Sequence, residues 1–141
     1  MPTFRHEMHV DAAPSAVFSR YRDVSNWPAW DPETLAVDLP GLEVGATGWL
    51  KPRQGPRAKV AIVEVTEGRS FTVEGRLPLC RMHFGHELRE TATGTLVTHS
   101  VGFSGPLAFV FQRLVGRELD RTLPLTLAGL KAASESTPAE T

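Results

Sequence analysis

Sulfur chemistry is almost missing from this chain. Cys80 is the only cysteine in 141 residues, so no intrachain disulfide can form and no cysteine-rich zinc site can be built. Net charge is also scarce, −1 at neutral pH, so no strong overall field draws in nucleic acid or an anionic membrane. No apolar run approaches the length of a membrane span, and Met1 to Asp11 lacks the apolar centre of a secretory signal. A cytoplasmic location is the expectation. There is no Gly-x-Ser-x-Gly elbow, no P-loop and no dinucleotide fingerprint, which leaves nucleophilic hydrolases and nucleotide enzymes without support. The histidines, His6, His9, His83, His86 and His99, show no metal-ligand spacing. Neither a metal nor a cofactor is called for.

What is present is ordinary for a globular protein: 41% hydrophobic and 22% charged residues. The length suits one domain with a core that needs no covalent staple. We expect that domain over residues 1–134, with a small, polar, disordered tail at 135–141. Phe4 to Val10 alternates as a strand. Asp11 can cap the next element, and Pro14 suits the first turn of a helix reaching about Asp23. Then comes Asn26-Trp27-Pro28-Ala29-Trp30-Asp31-Pro32, whose two prolines fix their own φ and bias Trp27 and Asp31 toward extended backbone. It reads as a bent, aromatic connector. Strands follow over Leu35–Leu39, Thr47–Lys51, Lys59–Thr66, Ser70–Gly75, Cys80–Glu90 and Thr95–Phe103, separated by Gly and Pro turns. A long helix closes the chain from about Leu107 to Ser134. Its expected apolar face is Leu107, Phe111, Leu114, Leu119, Leu123, Leu127 and Leu130, and Pro124 lies inside it.

This order predicts an α+β fold: a curved antiparallel sheet wrapped around a long C-terminal helix, with short helical elements near the N-terminus. A sheet and helix that do not fully close leave room for a small molecule. Period-two alternation puts Met82, Phe84, His86 and Leu88 on one strand face, and Val97, His99, Val101 and Phe103 on one face of the next. The apolar faces look inward, which makes His86 and His99 polar groups on an apolar wall. Each is a candidate acid/base, since imidazole titrates near neutrality, or simply a hydrogen-bonded core residue. Whether they meet depends on a strand register the sequence does not reveal. The remaining candidates for ligand contact are Trp27, Trp30, Met82, Phe84, Val97, Val101, Phe103, Phe111, Leu114 and Glu118. Of the two tryptophans, one is expected in the core and one at the mouth. Glu118 is either a polar handle in the cavity or a residue on the helix flank. Tyr21 reads as core. Glu64, Glu74, Arg81, His83 and Trp49 read as outward, Trp49 being a further candidate for partner contact.

The layout resembles the helix-grip fold of the START-like (SRPBCC) superfamily. It is most similar to the polyketide cyclase/dehydrase branch and its bacterial relatives. The residues that carry the resemblance are Val24 to Pro32 after the short helix, Val63-Glu64-Val65 with Arg69-Ser70-Phe71, the strand ending His86-Glu87-Leu88, and Val97-Thr98-His99 running into Phe103-Ser104-Gly105-Pro106-Leu107. The resemblance implies a deep, mostly apolar cavity with the Trp27–Pro32 stretch near its mouth. It also implies binding of a small hydrophobic or aromatic molecule, with cofactor-free polyketide cyclase/dehydrase activity as one outcome. A non-catalytic carrier or sensor and a protein-interaction module are the alternatives. Oligomeric state is open, with a homodimer among the options.

Overall fold

The computed structural model describes residues 3–136. The sheet has seven strands: β1 (Phe4–Val10), β2 (Thr34–Asp38), β3 (Thr47–Pro52), β4 (Ala58–Thr66), β5 (Ser70–Leu77), β6 (Cys80–Thr91) and β7 (Gly94–Ser104). Their spatial order is β1-β7-β6-β5-β4-β3-β2, and every neighbouring pair is antiparallel. Helices α1 (Pro14–Arg22) and α2 (Trp27–Trp30), joined by a 3-10 turn at Val24–Asn26, link β1 to β2. Helix α3 (Ala108–Ser136) lies across the concave face, packed chiefly on β1 and β7. The expected α+β helix-grip architecture is the one observed. The proposed tail at 135–141 falls largely outside the described residues.

Local chemistry explains the elements and a few departures. Pro14 opens α1, as expected, but Ala13 rather than Asp11 occupies the N-cap and offers no side-chain bond. Asp11 instead gives its backbone N–H to Glu135 Oε2 at 2.8 Å. In the aromatic connector, Asp31 is extended ahead of Pro32 (φ −101°, ψ 106°), whereas Trp27 ahead of Pro28 is helical (φ −51°, ψ −42°). The preference against helix before proline is overcome there because the Trp27 indole is buried and donates its N–H to the Tyr21 carbonyl at 2.9 Å. The connector is therefore one helical turn with an extended exit. In β4 the register slips between Ile62 and Glu64. Val63 is the extra residue and points outward, so Ile62 and Val65 both face inward; such a bulge bends and twists the strand.

The core is built from α1 (Val17, Phe18, Tyr21), α2 (Trp27), the concave face (Val10, Ile62, Phe71, Val97) and the second half of α3 (Leu127, Leu130). The apolar stripe of α3 advances in steps of four, from Phe111 through Val115, Leu119 and Leu123 to Leu127. Leu114 falls one position off that stripe and is 71% exposed, which corrects its expected place on the inner face. Two glycines let α3 approach its neighbours. A Cβ on Gly116 would meet the Phe4 ring at 2.9 Å, and a Cβ on Gly129 would sit 1.9 Å from the Trp30 carbonyl oxygen.

The second contact makes a test. Gly→Ala within a helix ordinarily stabilises by up to about 1 kcal/mol. Gly129→Ala should instead destabilise by about 1–3 kcal/mol, because backbone atoms cannot give way as a flexible side chain can. Denaturant unfolding reads the sign, and a gain in stability would show that α2 and α3 are not held in close approach.

Candidate functional site

The strand registers put five side chains in one rung across the concave face. His6 of β1 opposes His99 of β7, His99 opposes His86 of β6, His86 opposes Phe71 of β5, and Phe71 opposes Val65 of β4. The two candidate imidazoles are therefore direct cross-strand partners. Their ring centroids are 4.7 Å apart, edge to face. On its other side His86 stacks flat on Phe71, 3.9 Å away and 3° from parallel. Tyr21 descends from α1 onto this row, 4.8 Å from the Phe71 ring and 5.5 Å from His86. Its hydroxyl lies 2.8 Å from His99 Nε2.

These contacts fix where the protons sit. A carbonyl can only accept, so the 3.2 Å contact between His86 Nδ1 and the Phe71 carbonyl requires a proton on Nδ1. His86 Nε2 is then an acceptor. It makes no hydrogen bond among the described residues, and His86 as a whole residue is half-buried. Burial raises the Tyr21 pKa well above its usual value, so Tyr21 remains a phenol and donates to His99 Nε2. The reverse arrangement would strand both the phenol proton and the opposite ring nitrogen. His99 accordingly carries its own proton on Nδ1, which is buried without a partner among the described residues. An unmade hydrogen bond at a buried donor costs about 1–3 kcal/mol.

Both imidazoles are neutral at pH 7. Burial pushes His86 down to about 4, against smaller opposing effects of the Phe71 carbonyl and of Glu64. For His99, burial and then the neighbouring His86 hold the pKa well below the usual histidine value. Glu64 lies on the opposite face of the sheet. Burial would raise its pKa, but hydroxyl donors on Ser70, Thr66 and Thr72 outweigh this and hold it below the usual carboxylate value. At the β1 end of the rung, His6 Nε2 meets Asp120 Oδ1 of α3 at 2.8 Å. Among the described residues no three His, Cys, Asp or Glu side chains are grouped to hold a metal ion.

The other candidates divide by position. Trp27 is core. Trp30 is partly exposed, 6.2 Å from the Tyr21 ring, with its indole N–H buried and unpartnered among the described residues. Val97, Val101 and Met82 are buried, while Phe84, Phe103 and Phe111 keep partial exposure on the surfaces that α3 and the sheet turn toward each other. Leu114 points to solvent. Glu118 lies on the helix flank, in a 2.5 Å ion pair with Arg121. Trp49 is on the outer face beneath the Arg57 guanidinium, 3.8 Å from its ring centroid. Glu74, expected to be exposed, is only 7% exposed, because Arg76 and Arg81 close over it at 3.6 and 3.5 Å.

Two further residues belong to the cluster, Tyr21 and His6. The sequence pattern places Tyr21 in the core, and the structure adds that its hydroxyl sets the tautomer of His99. His6 shared strand parity with Phe4 and Met8, a signal that it faces inward, but its place on the His99 rung needed the β1–β7 register. The open space differs from expectation as well. A groove of about 820 Å³ lies on the outer face of the sheet, lined by Arg5, Glu7, Arg69, Glu87 and Arg89 among others. A second, of about 240 Å³, lies beside α1, α2 and the end of α3. Neither opens on the rung itself, where Tyr21, Phe71 and His86 pack ring against ring.

Residues 1–135 match the family described as polyketide cyclase / dehydrase and lipid transport. The chain belongs to that family. Solved structures agree on the fold. Protein MLL2253 from Mesorhizobium loti superposes with a TM-score of 0.75 at 15% identity, covering 94% of this chain and 96% of that one. The di-domain ARO/CYC StfQ of the steffimycin biosynthetic pathway gives 0.70 at 14% identity, over 96% of this chain and 51% of its own. Ara h 8.0201 gives 0.61 at 13% identity, over 98% and 97%. No curated protein matches in sequence. At these identities the likeness speaks for fold alone. The family's shared architecture thus reaches this chain, while its polar cluster must be read from its own residues.

The cluster predicts a pH response. A histidine whose folded pKa lies below its unfolded value of about 6.5 binds fewer protons when folded, so stability falls as pH drops through that interval. Unfolding free energy should decline from about pH 6.5 toward 4. His86→Gln should flatten that slope without abolishing it, since His99 still contributes. Tyr21→Phe should cost about 1–3 kcal/mol at pH 7 by leaving His99 Nε2 unpaired. Urea titrations across this pH range check all three. An unchanged slope in His86→Gln would mean that His86 is not buried neutral.

Proposed function

We propose that this protein binds a small hydrophobic or aromatic molecule bearing a hydroxyl, at the partly open side of the concave face beside His86. One observation carries the reading. His86 is a neutral imidazole on an apolar wall, with Nδ1–H committed to the Phe71 carbonyl and Nε2 left as an unpaired acceptor. Phe84, two residues before it on the same strand face, and Trp30, beside the Tyr21 ring, supply partly exposed aromatic surface nearby. Pockets of this kind take most of their affinity from apolar contact and their orientation from a few placed polar groups. A phenol or enol hydroxyl is the donor that such an acceptor complements. Membership of a family that includes lipid transport and polyketide chemistry supports a ligand of this class.

A second reading is catalytic: a cofactor-free polyketide cyclase/dehydrase with His86 as acid/base and His99 assisting. The family description and the ARO/CYC neighbour favour it. The proton bookkeeping does not. A base whose conjugate acid has a pKa of about 4 has little driving force to take a proton from carbon at neutral pH, and it holds almost none to donate. Binding and orientation are therefore the stronger reading, with the protein acting as carrier or sensor.

The test incubates the purified protein with a panel of aromatic polyketides, fatty acids and quinones, then identifies bound and released compounds by mass spectrometry. A hydroxylated aromatic retained and recovered unchanged is the expected result. His86→Phe, which keeps the apolar wall but removes the acceptor, should weaken its binding about 5- to 10-fold, the effect of one hydrogen bond. Recovery of a dehydrated or cyclised product that is lost in His86→Phe would replace this reading with the catalytic one. Retention that is indifferent to His86 would remove the hydroxyl-acceptor role.

A further inference from the structure

One exposed surface remains outside these readings. On the solvent side of α3, Phe109, Arg113 and Arg117 follow one another at intervals of four and are all exposed, and Leu114 stands beside them. Phe109 is 67% exposed and Leu114 is 71% exposed, large values for such side chains on a helix that has a core to face. Between Glu90 and Glu118 the sequence contains no acidic residue. Among the described residues neither Arg113 nor Arg117 takes part in an ion pair or a side-chain hydrogen bond; Glu118, the nearest acid in sequence, is held by Arg121. The surface is thus both apolar and locally cationic, in a chain whose total charge is −1.

A second feature adjoins it. Leu79, in the β5–β6 turn, holds a left-handed backbone with φ of 54° and is 66% exposed. Its carbonyl accepts the Leu107 N–H at 3.0 Å, which places it at the start of α3. A branched side chain at positive φ is disfavoured, and glycine would adopt the same backbone without strain. The fold therefore carries a strained turn that presents leucine to solvent, next to the helix that presents Phe109.

We infer that the outer face of the first turns of α3, together with Leu79, docks on an anionic phospholipid surface. Arginine beside exposed Phe and Leu on one helix face is the chemistry of interfacial helices, in which apolar side chains enter the acyl boundary and cations meet the head groups. On this face unpaired arginines coincide with exposed apolar side chains, whereas Arg22 is paired with Glu67, and Arg76 and Arg81 with Glu74. Arg5, Arg69 and Arg89 also lie exposed, but in the outer-face groove beside Glu7, Glu87 and Glu90. The inference does not depend on the ligand proposed above.

Co-sedimentation of the full chain with phosphatidylcholine vesicles, with and without phosphatidylglycerol, tests it. Binding should require the anionic lipid and weaken with added salt, as screening of surface charge demands. Arg113→Glu with Arg117→Glu should reduce the partition coefficient by more than about tenfold, and Phe109→Ser should reduce it as well. Leu79→Gly gives a control in which loss of function and loss of fold are separated: it should lower vesicle binding while thermal stability holds or rises. No sedimentation with anionic vesicles overturns the inference, as does sedimentation unaffected by these substitutions. A dimer in solution that Phe109→Ser converts to monomer also overturns it, because a second copy of the chain would then be what covers this face.

Discussion

The structure depends on one buried side chain, Tyr21. It is fully enclosed, and each part of it is used. Its ring fills the space between the short helices and the sheet, touching Phe18, Trp30, Phe71, His86 and His99. Its carbonyl takes the Trp27 indole N–H and so holds α2 in place. Its hydroxyl donates to His99 and so selects a tautomer at the centre of the sheet. Aromatic contacts of this kind add about 0.5–1.5 kcal/mol each beyond area burial. Their larger effect here is geometric: α1, the aromatic turn and the middle strands are all referred to one ring.

From that constraint follows the character of the site. A phenol cannot ionise when buried, and imidazoles packed against it and against Phe71 cannot easily become cations. The polar atoms of the Tyr21–His86–His99 cluster are consequently neutral donors and acceptors in an aromatic wall. Such a wall discriminates by hydrogen-bond pattern, since a group that fails to satisfy a buried acceptor leaves it unpaired. It is poorly suited to stabilising developing charge, which needs fixed ions or convergent dipoles aimed at one atom. This is the physical reason to weigh recognition above turnover, even in a family whose description includes cyclases and dehydrases.

Much of the fold was legible because strand alternation and turn residues are local signals. Phe4 to Val10 and the inward parity of Met82, Phe84, His86, Val97, His99 and Val101 follow from period two alone. The pairing of His86 with His99 did not, because register is set by turn geometry and core packing across strands distant in sequence. Glu74 was misplaced for a related reason: alternation put it correctly on the outer face, but nothing local showed that Arg76 and Arg81 would close over it. Leu114 was misplaced because a three-step and a four-step apolar stripe share their first members on a helix, and only packing on β1 through Gly116 and Phe4 decides between them. Tyr21 was placed in the core from its helix face, while the role of its hydroxyl required a residue 78 positions away.

Charge was the least legible property, and the reason is general. A total of −1 averages over pairs whose fields cancel within a few ångströms. Here Glu67, Glu74, Glu118 and Glu135 are each drawn to a nearby cation, so they neutralise their own surroundings and contribute little elsewhere. Screening in physiological salt has a range of about 8 Å, too short for those carboxylates to offset arginines across the molecule. What a partner meets is therefore the local remainder. On the first turns of α3 that remainder is positive and accompanied by exposed Phe109 and Leu114, although the chain as a whole is very slightly acidic. A balanced composition thus excludes a strong long-range field, but it leaves short-range electrostatic docking to the distribution of acids along the chain. The acid-free stretch between Glu90 and Glu118 was visible in the sequence, and the fold turns part of it into a surface.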